Sequence, residues 1–146
     1  KEFNIDPYQI TEAKANGADI ILLIAACLDA DAIQSLSAYA QTLGLSVLLE
    51  VHNAEELSRS LFDTIDAIGV NNRNLKDFSV SLDHSYELAA QIPESYIKVS
   101  ESGISDPATI RELQKVGYTG FLIGENFMRT DDPAKSIKEF VAAVQG

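Results

Sequence analysis

A chain of 146 residues, 46% hydrophobic and 23% charged, is sized for a single hydrophobic core. Its formal net charge of -11 argues against nucleic acid as a partner, and its one cysteine leaves no disulfide framework. No apolar run reaches the roughly 20 residues that span a bilayer, and no basic-then-apolar leader opens the chain, so a cytoplasmic protein with no membrane partner is expected. Cys27, His52 and His84 lack metal-ligand spacing, so no structural metal is expected.

The elements follow in chain order. "DPYQITEAKANG" reads as a helix with Pro7 in its first turn, where a missing N–H costs nothing. "ADIILLIAA" from Ala18 is almost continuously apolar and reads as a buried strand. "LDADAIQSLSAYAQTLG" sets Ile33, Leu36, Tyr39, Ala40 and Leu43 at helical spacing, with Asp29 as N-cap and Gly44 just past the end. The cycle then repeats as strand "LSVLLEVH", helix "AEELSRSLFD", strand "DAIGVN", helix "SLDHSYELAAQI", strand "YIKVSES", helix "DPATIRELQKVG", strand "TGFLIGE" and helix "DPAKSIKEFVAAV". Strict alternation of five strands and six helices predicts a parallel sheet covered by helices.

An open doubly wound sheet and a closed eight-fold barrel both fit that alternation. Polar residues stand at the carboxyl ends of successive strands: Glu50, then Asn71, then Glu101 with Ser102, then Gly124. In a barrel these ends converge on one mouth, and the pattern favours the barrel. Gly103 with Ile104, and Gly124 with Glu125, form two adjacent glycine turns after the last two strands, the place where this fold cradles phosphate. The helix beginning at Asp106-Pro107 adds a partially positive N-terminus. A phosphorylated small molecule is the expected ligand.

"LLEVH", "GVNNRNLKDF", "VSESGI" and "LIGENFMR", in this order and spacing, resemble the later strands of indole-3-glycerol phosphate synthases of tryptophan biosynthesis. "KEF" at the start is similar to the family's "K-D-F" at the end of the third barrel strand. The resemblance covers essentially the whole chain and implies a partial (β/α)8 TIM barrel: the end of the third strand, strands four to eight and helices three to eight. Residues 1–146 are then the C-terminal portion of one barrel domain. The first two strands of a whole member, with their "E-x-K" and "S-P-S" elements, have no counterpart here.

The family closes an indole ring on 1-(2-carboxyphenylamino)-1-deoxyribulose 5-phosphate, with loss of carbon dioxide and water and without a cofactor. By resemblance, Lys1 is the ammonium beside the ketone oxygen and Glu50 the carboxylate that handles the dehydration proton. Asn71 orients substrate or a catalytic hydroxyl, and Arg73 pairs with the substrate carboxylate. Glu101 and Ser102 line the mouth, while Gly103, Ile104, Gly124 and Glu125 hold phosphate through backbone N–H groups. Glu125 departs from the small polar residue of many relatives, and a carboxylate there requires a side chain that points away from the phosphate.

Plainer readings stand beside these. Asn71 and Arg73 could simply shape a turn, and Ser102-Gly103 simply end a strand. His52 reads as a surface or supporting residue, Cys27 as packing, and His84 and Tyr86 as structural residues of a helix. Three functions remain open: a piece of the synthase, inactive alone; a silent part-barrel that binds phosphate or a partner; and a barrel like phosphoribosylanthranilate isomerase, which the "NNRNL" and "SESGI" elements fit less well. Five parallel strands cannot close a barrel, so the open sheet edges are expected to pair with the missing units or with a second copy.

Overall fold

A computed structural model describes residues 2–74 and 77–146. Lys1, assigned above to the reacting ketone, lies outside the described residues, as do Leu75 and Lys76. The elements are α1 (Pro7–Ala15), β1 (Ile20–Ile24), α2 (Ala30–Thr42), β2 (Ser46–Val51), α3 (Ala54–Ser58), β3 (Ala67–Asn71), α4 (Asp83–Ala89), β4 (Ile97–Glu101), α5 (Pro107–Lys115), β5 (Gly120–Leu122), α6 (Glu125–Met128) and α7 (Pro133–Gln145). A 3-10 turn at Ala25–Cys27 follows β1. All neighbouring strands pair in parallel in the order β1-β2-β3-β4-β5, leaving β1 and β5 as edges of an open sheet.

Local chemistry sets the boundaries. Asp6 and Gln9 form a reciprocal capping box ahead of α1, with Pro7 at the tolerated position. Asp29 accepts the Ala32 N–H at 2.8 Å, Asp106 accepts that of Ala108 at 2.8 Å, and Asp132 that of Lys135 at 3.0 Å, each satisfying a helix-start donor that would otherwise lack a partner. Gly44 takes the left-handed φ of +67° just beyond α2, as the sequence led us to expect. Two expectations change. The "AEELSRSLFD" segment is helical only over α3, after which the Arg59 guanidinium reaches back to the carbonyls of Ala25 and Leu28. Cys27 is exposed rather than packed, because the 3-10 turn ends the inward alternation of β1. After Gly124 the chain adds α6, a short helix outside the six expected, anchored by Phe127 edge-to-face on Phe140 with ring centroids 5.3 Å apart.

Because side chains alternate along each strand, the sheet has two faces. Leu23, Val47, Leu49, Val51, Ile68 and Val70 point to the helices and join one large core with Ile10, Ile33, Leu36, Leu88, Ile110 and Leu113. A polar network is sealed into this face. Asn72 Nδ2 donates to Ser100 Oγ at 3.0 Å, Ser85 Oγ donates to Asn72 Oδ1 at 2.8 Å, and Tyr118 OH donates to the Ser85 carbonyl at 2.6 Å. Burial pushes the Tyr118 hydroxyl up to about 12, against a smaller lowering by the Ser85 side chain. On the opposite face only Leu48, Ala67 and Val99 form a small buried cluster, with Leu22 against it. Ile20, Ile97 and Leu122 alternate to that same face and are about half exposed. Among the described residues no helix is long and apolar enough to cross a membrane.

Candidate active site

The register of the sheet assembles the site. Glu50 pairs with Gly69, and Asn71 pairs with Glu101, so three polar side chains from β2, β3 and β4 come to the carboxyl ends of the strands on the face away from the helices. Glu50 is fully buried, and Asn71 and Glu101 are nearly so. Asn71 Nδ2 donates to Glu50 Oε1 at 2.8 Å, while its Oδ1 accepts the Arg73 N–H at 3.0 Å. The second bond fixes which end of the amide faces the carboxylate. Gly69 creates the space for Glu101: a β-carbon built on Gly69 would collide with Glu101 Oε1.

Ser102 and Gly103 follow β4 with φ of +67° and +73°. Two consecutive left-handed residues, one of them not glycine, mark a strained turn held by its surroundings, such as sequence alone does not reveal. At Gly103 the strain is absorbed by the absence of a side chain, since a β-carbon would collide with Val80. The turn lines a cavity of about 310 Å³ together with Ile104, Gly124, Glu125 and Arg73. All four residues expected to hold phosphate therefore border one cavity. Arg129, which the sequence reading did not single out, borders it too; it lies four residues after Glu125.

The Glu125 side chain does not simply point away. Its Oε2 pairs with Arg73 Nη2 at 2.5 Å across the cavity, with both side chains partly exposed. Arg73 also borders a second cavity, of about 340 Å³, lined by His52, Asn53, Glu56, Asn71 and His84. One guanidinium thus stands between the buried carboxylate and the glycine turns. The start of α5 is less available to an anion than expected, because Asp106 already occupies it with its own carboxylate.

His52 is the main residue that sequence reasoning undervalued. Its Nδ1 lies 3.2 Å from Glu56 Oε2 and its Nε2 lies 3.4 Å from Glu50 Oε1. Glu56 is a built partner: it accepts the His52 N–H at 2.8 Å and Asn53 Nδ2 at 3.1 Å. Burial works against its ionisation, but the bonds and charge of His52 and the bond from Asn53 outweigh it and hold the carboxyl below its usual range. The i, i+4 spacing of His52 and Glu56 was the available signal.

With this geometry in hand, comparison with known proteins is informative. The sequence model for indole-3-glycerol phosphate synthase matches residues 1–140. The chain belongs to the indole-3-glycerol phosphate synthase family. It is 49% identical over 145 residues to the indole-3-glycerol phosphate synthase of Bacteroides thetaiotaomicron, covering 99% of this chain and 55% of that protein. The synthase of Polynucleobacter asymbioticus is 48% identical over 142 residues, covering 97% of this chain and 53% of the relative. The chain thus spans about half the length of the curated relatives it matches. In three dimensions it resembles 3-hexulose-6-phosphate synthase from Salmonella typhimurium, with a TM-score of 0.74 at 15% identity over 97% of this chain and 69% of that one. It also resembles KGPDC from Streptococcus mutans, with a TM-score of 0.73 at 11% identity over 97% of this chain and 67% of that one. At such identities the likeness speaks for the fold: the open sheet of this family member is part of an α/β barrel.

Proposed function

We propose that the protein carrying this chain is an indole-3-glycerol phosphate synthase of tryptophan biosynthesis, a cytoplasmic carbon–carbon lyase, and that residues 1–146 are the C-terminal portion of its single barrel domain. One observation carries the reading: a buried carboxylate, Glu50, held by Asn71 and connected through Arg73 to a cavity between two glycine turns. The substrate, 1-(2-carboxyphenylamino)-1-deoxyribulose 5-phosphate, lies with its phosphate at Gly103, Ile104, Gly124 and Glu125, bound through backbone N–H groups. Arg73 turns from Glu125 to the substrate carboxylate, whose planar geometry a guanidinium matches. The Lys1 ammonium polarises the ketone, the aromatic carbon bearing the carboxylate attacks it, and carbon dioxide leaves. Glu50 then serves the proton transfers of dehydration, and Glu101 and Ser102 line the mouth. Water and carbon dioxide leave for each indole-3-glycerol phosphate formed, and no cofactor is consumed.

The exposed Ile20, Ile97 and Leu122 favour a companion statement about partners. The face that carries the site takes the remaining barrel units or, in their absence, a second copy of the sheet. Incubating the full-length protein with the substrate and following indole formation by fluorescence tests the function. Turnover by the full-length protein and none by residues 1–146 alone is expected; a full-length protein that binds the substrate without converting it would reject the synthase reading.

A further inference from the structure

His52 sits between two carboxylates that come from different elements, Glu50 on β2 and Glu56 on α3. Glu56 accepts the His52 N–H on Oε2 and Asn53 Nδ2 on Oε1, its carboxyl is held below its usual range, and an ionised carboxylate only accepts. The Nδ1 atom facing it therefore carries a hydrogen. That fixes the other side of the ring: Nε2, shut off from solvent, faces Glu50 Oε1 at 3.4 Å. Nε2 has no hydrogen-bond partner there, and a buried polar atom left unpaired is costly, so Glu50 is the group placed to share a proton with it. Arg73 from the loop after β3 and His84 from α4 border the same cavity and complete the titratable and charged groups around the ring among the described residues.

We propose that His52 is a positioning residue that orients Glu50 and holds the proton Glu50 exchanges, with Glu56 fixing the imidazole so that Nε2 is the exchanging atom. The inference rests on the reading of Glu50 as the acid–base group of the synthase. In each turnover the one proton shared by Glu50 and His52 Nε2 goes to the leaving hydroxyl, which departs as water, and the proton that Glu50 then takes from the ring carbon restores the shared one, so protons balance over the cycle.

Two measurements on the full-length protein test this separately. Imidazole 15N NMR, with His52 assigned by loss of its signals in His52→Gln, reads the ring directly. Glu50→Gln is expected to shift the Nε2 resonance and Glu56→Gln the Nδ1 resonance. An Nε2 resonance indifferent to Glu50→Gln would overturn the proposal whatever the reaction. In turnover, His52→Gln and Glu56→Gln are each expected to lower kcat about tenfold, a part of the roughly 10²- to 10⁴-fold that a positioned acid–base group contributes, with KM within about twofold. Wild-type kcat in a folded His52→Gln protein would overturn it as well. A wild-type protein with no turnover would reject the synthase reading and leave the Nε2 response to decide the inference.

Discussion

The two faces of the sheet are made by the same strands and obey different rules. On the helix-facing side the inward positions of β1, β2 and β3 are filled, and even the polar Asn72, Ser85 and Ser100 are closed into a bonded network. On the other side the apolar cluster is small, the lower side chains are half exposed, and the upper ends carry Glu50, Asn71 and Glu101. The first face holds the chain together; the second seats Glu50 beside Asn71 and His52, and Glu101 in the gap above Gly69. Stability and function are thus divided by the alternation of one residue along a strand.

Adjacent residues of β2 give the sharpest way to break that comparison. Leu49→Ala, on the filled face, is expected to destabilise the protein by about 2–5 kcal/mol, whereas Leu48→Ala on the other face costs clearly less. Equal losses in urea melts would erase the distinction. Gly69→Ala forces the Glu101 carboxylate from its place and is expected to cost about 1–3 kcal/mol, as overpacking does; a substitution neutral in both melting and turnover would show that Glu101 has other room. Tyr118→Phe leaves the buried Ser85 carbonyl without its donor, an expected loss of about 1–2 kcal/mol.

The same tyrosine carries a pH signature. Its folded value, raised to about 12, exceeds the ordinary value of about 10, so its contribution is fully present below about pH 10 and is lost as pH rises through about 12. Wild-type stability should therefore fall more steeply than that of Tyr118→Phe across this window, and parallel curves would contradict the assignment. The smallest effect is expected at Leu122→Thr on the open edge: within about 0.5 kcal/mol for residues 1–146 alone.

Much of this was legible in the sequence because it is local. Continuous apolar runs announced parallel strands, and Asp29, Asp106 and Pro7 announced helix starts. Glu50, set among apolar neighbours, announced a carboxylate with a purpose. What escaped depends on register or on distant pairing. Gly69 looks like any strand glycine until β4 is aligned beside it. Arg73 meets Glu125 across 52 residues of chain, and neither residue type nor spacing predicts that pair. Asn72 carried no signal of its own beside Asn71, yet one step of alternation turns it into the helix-facing core. Cys27 was misread because the strand ends at Ile24, two residues sooner than the apolar run to Ala26 implied, and a 3-10 turn takes its place.

Replacement of Glu50 by Gln in the full-length protein tests the account most directly. It preserves shape and the contact with Asn71 while removing the exchangeable proton. The expected result is a fall in kcat of about 10²- to 10⁴-fold with a nearly unchanged KM and melting temperature. Turnover of the deoxyribulose phosphate at the wild-type rate would contradict it.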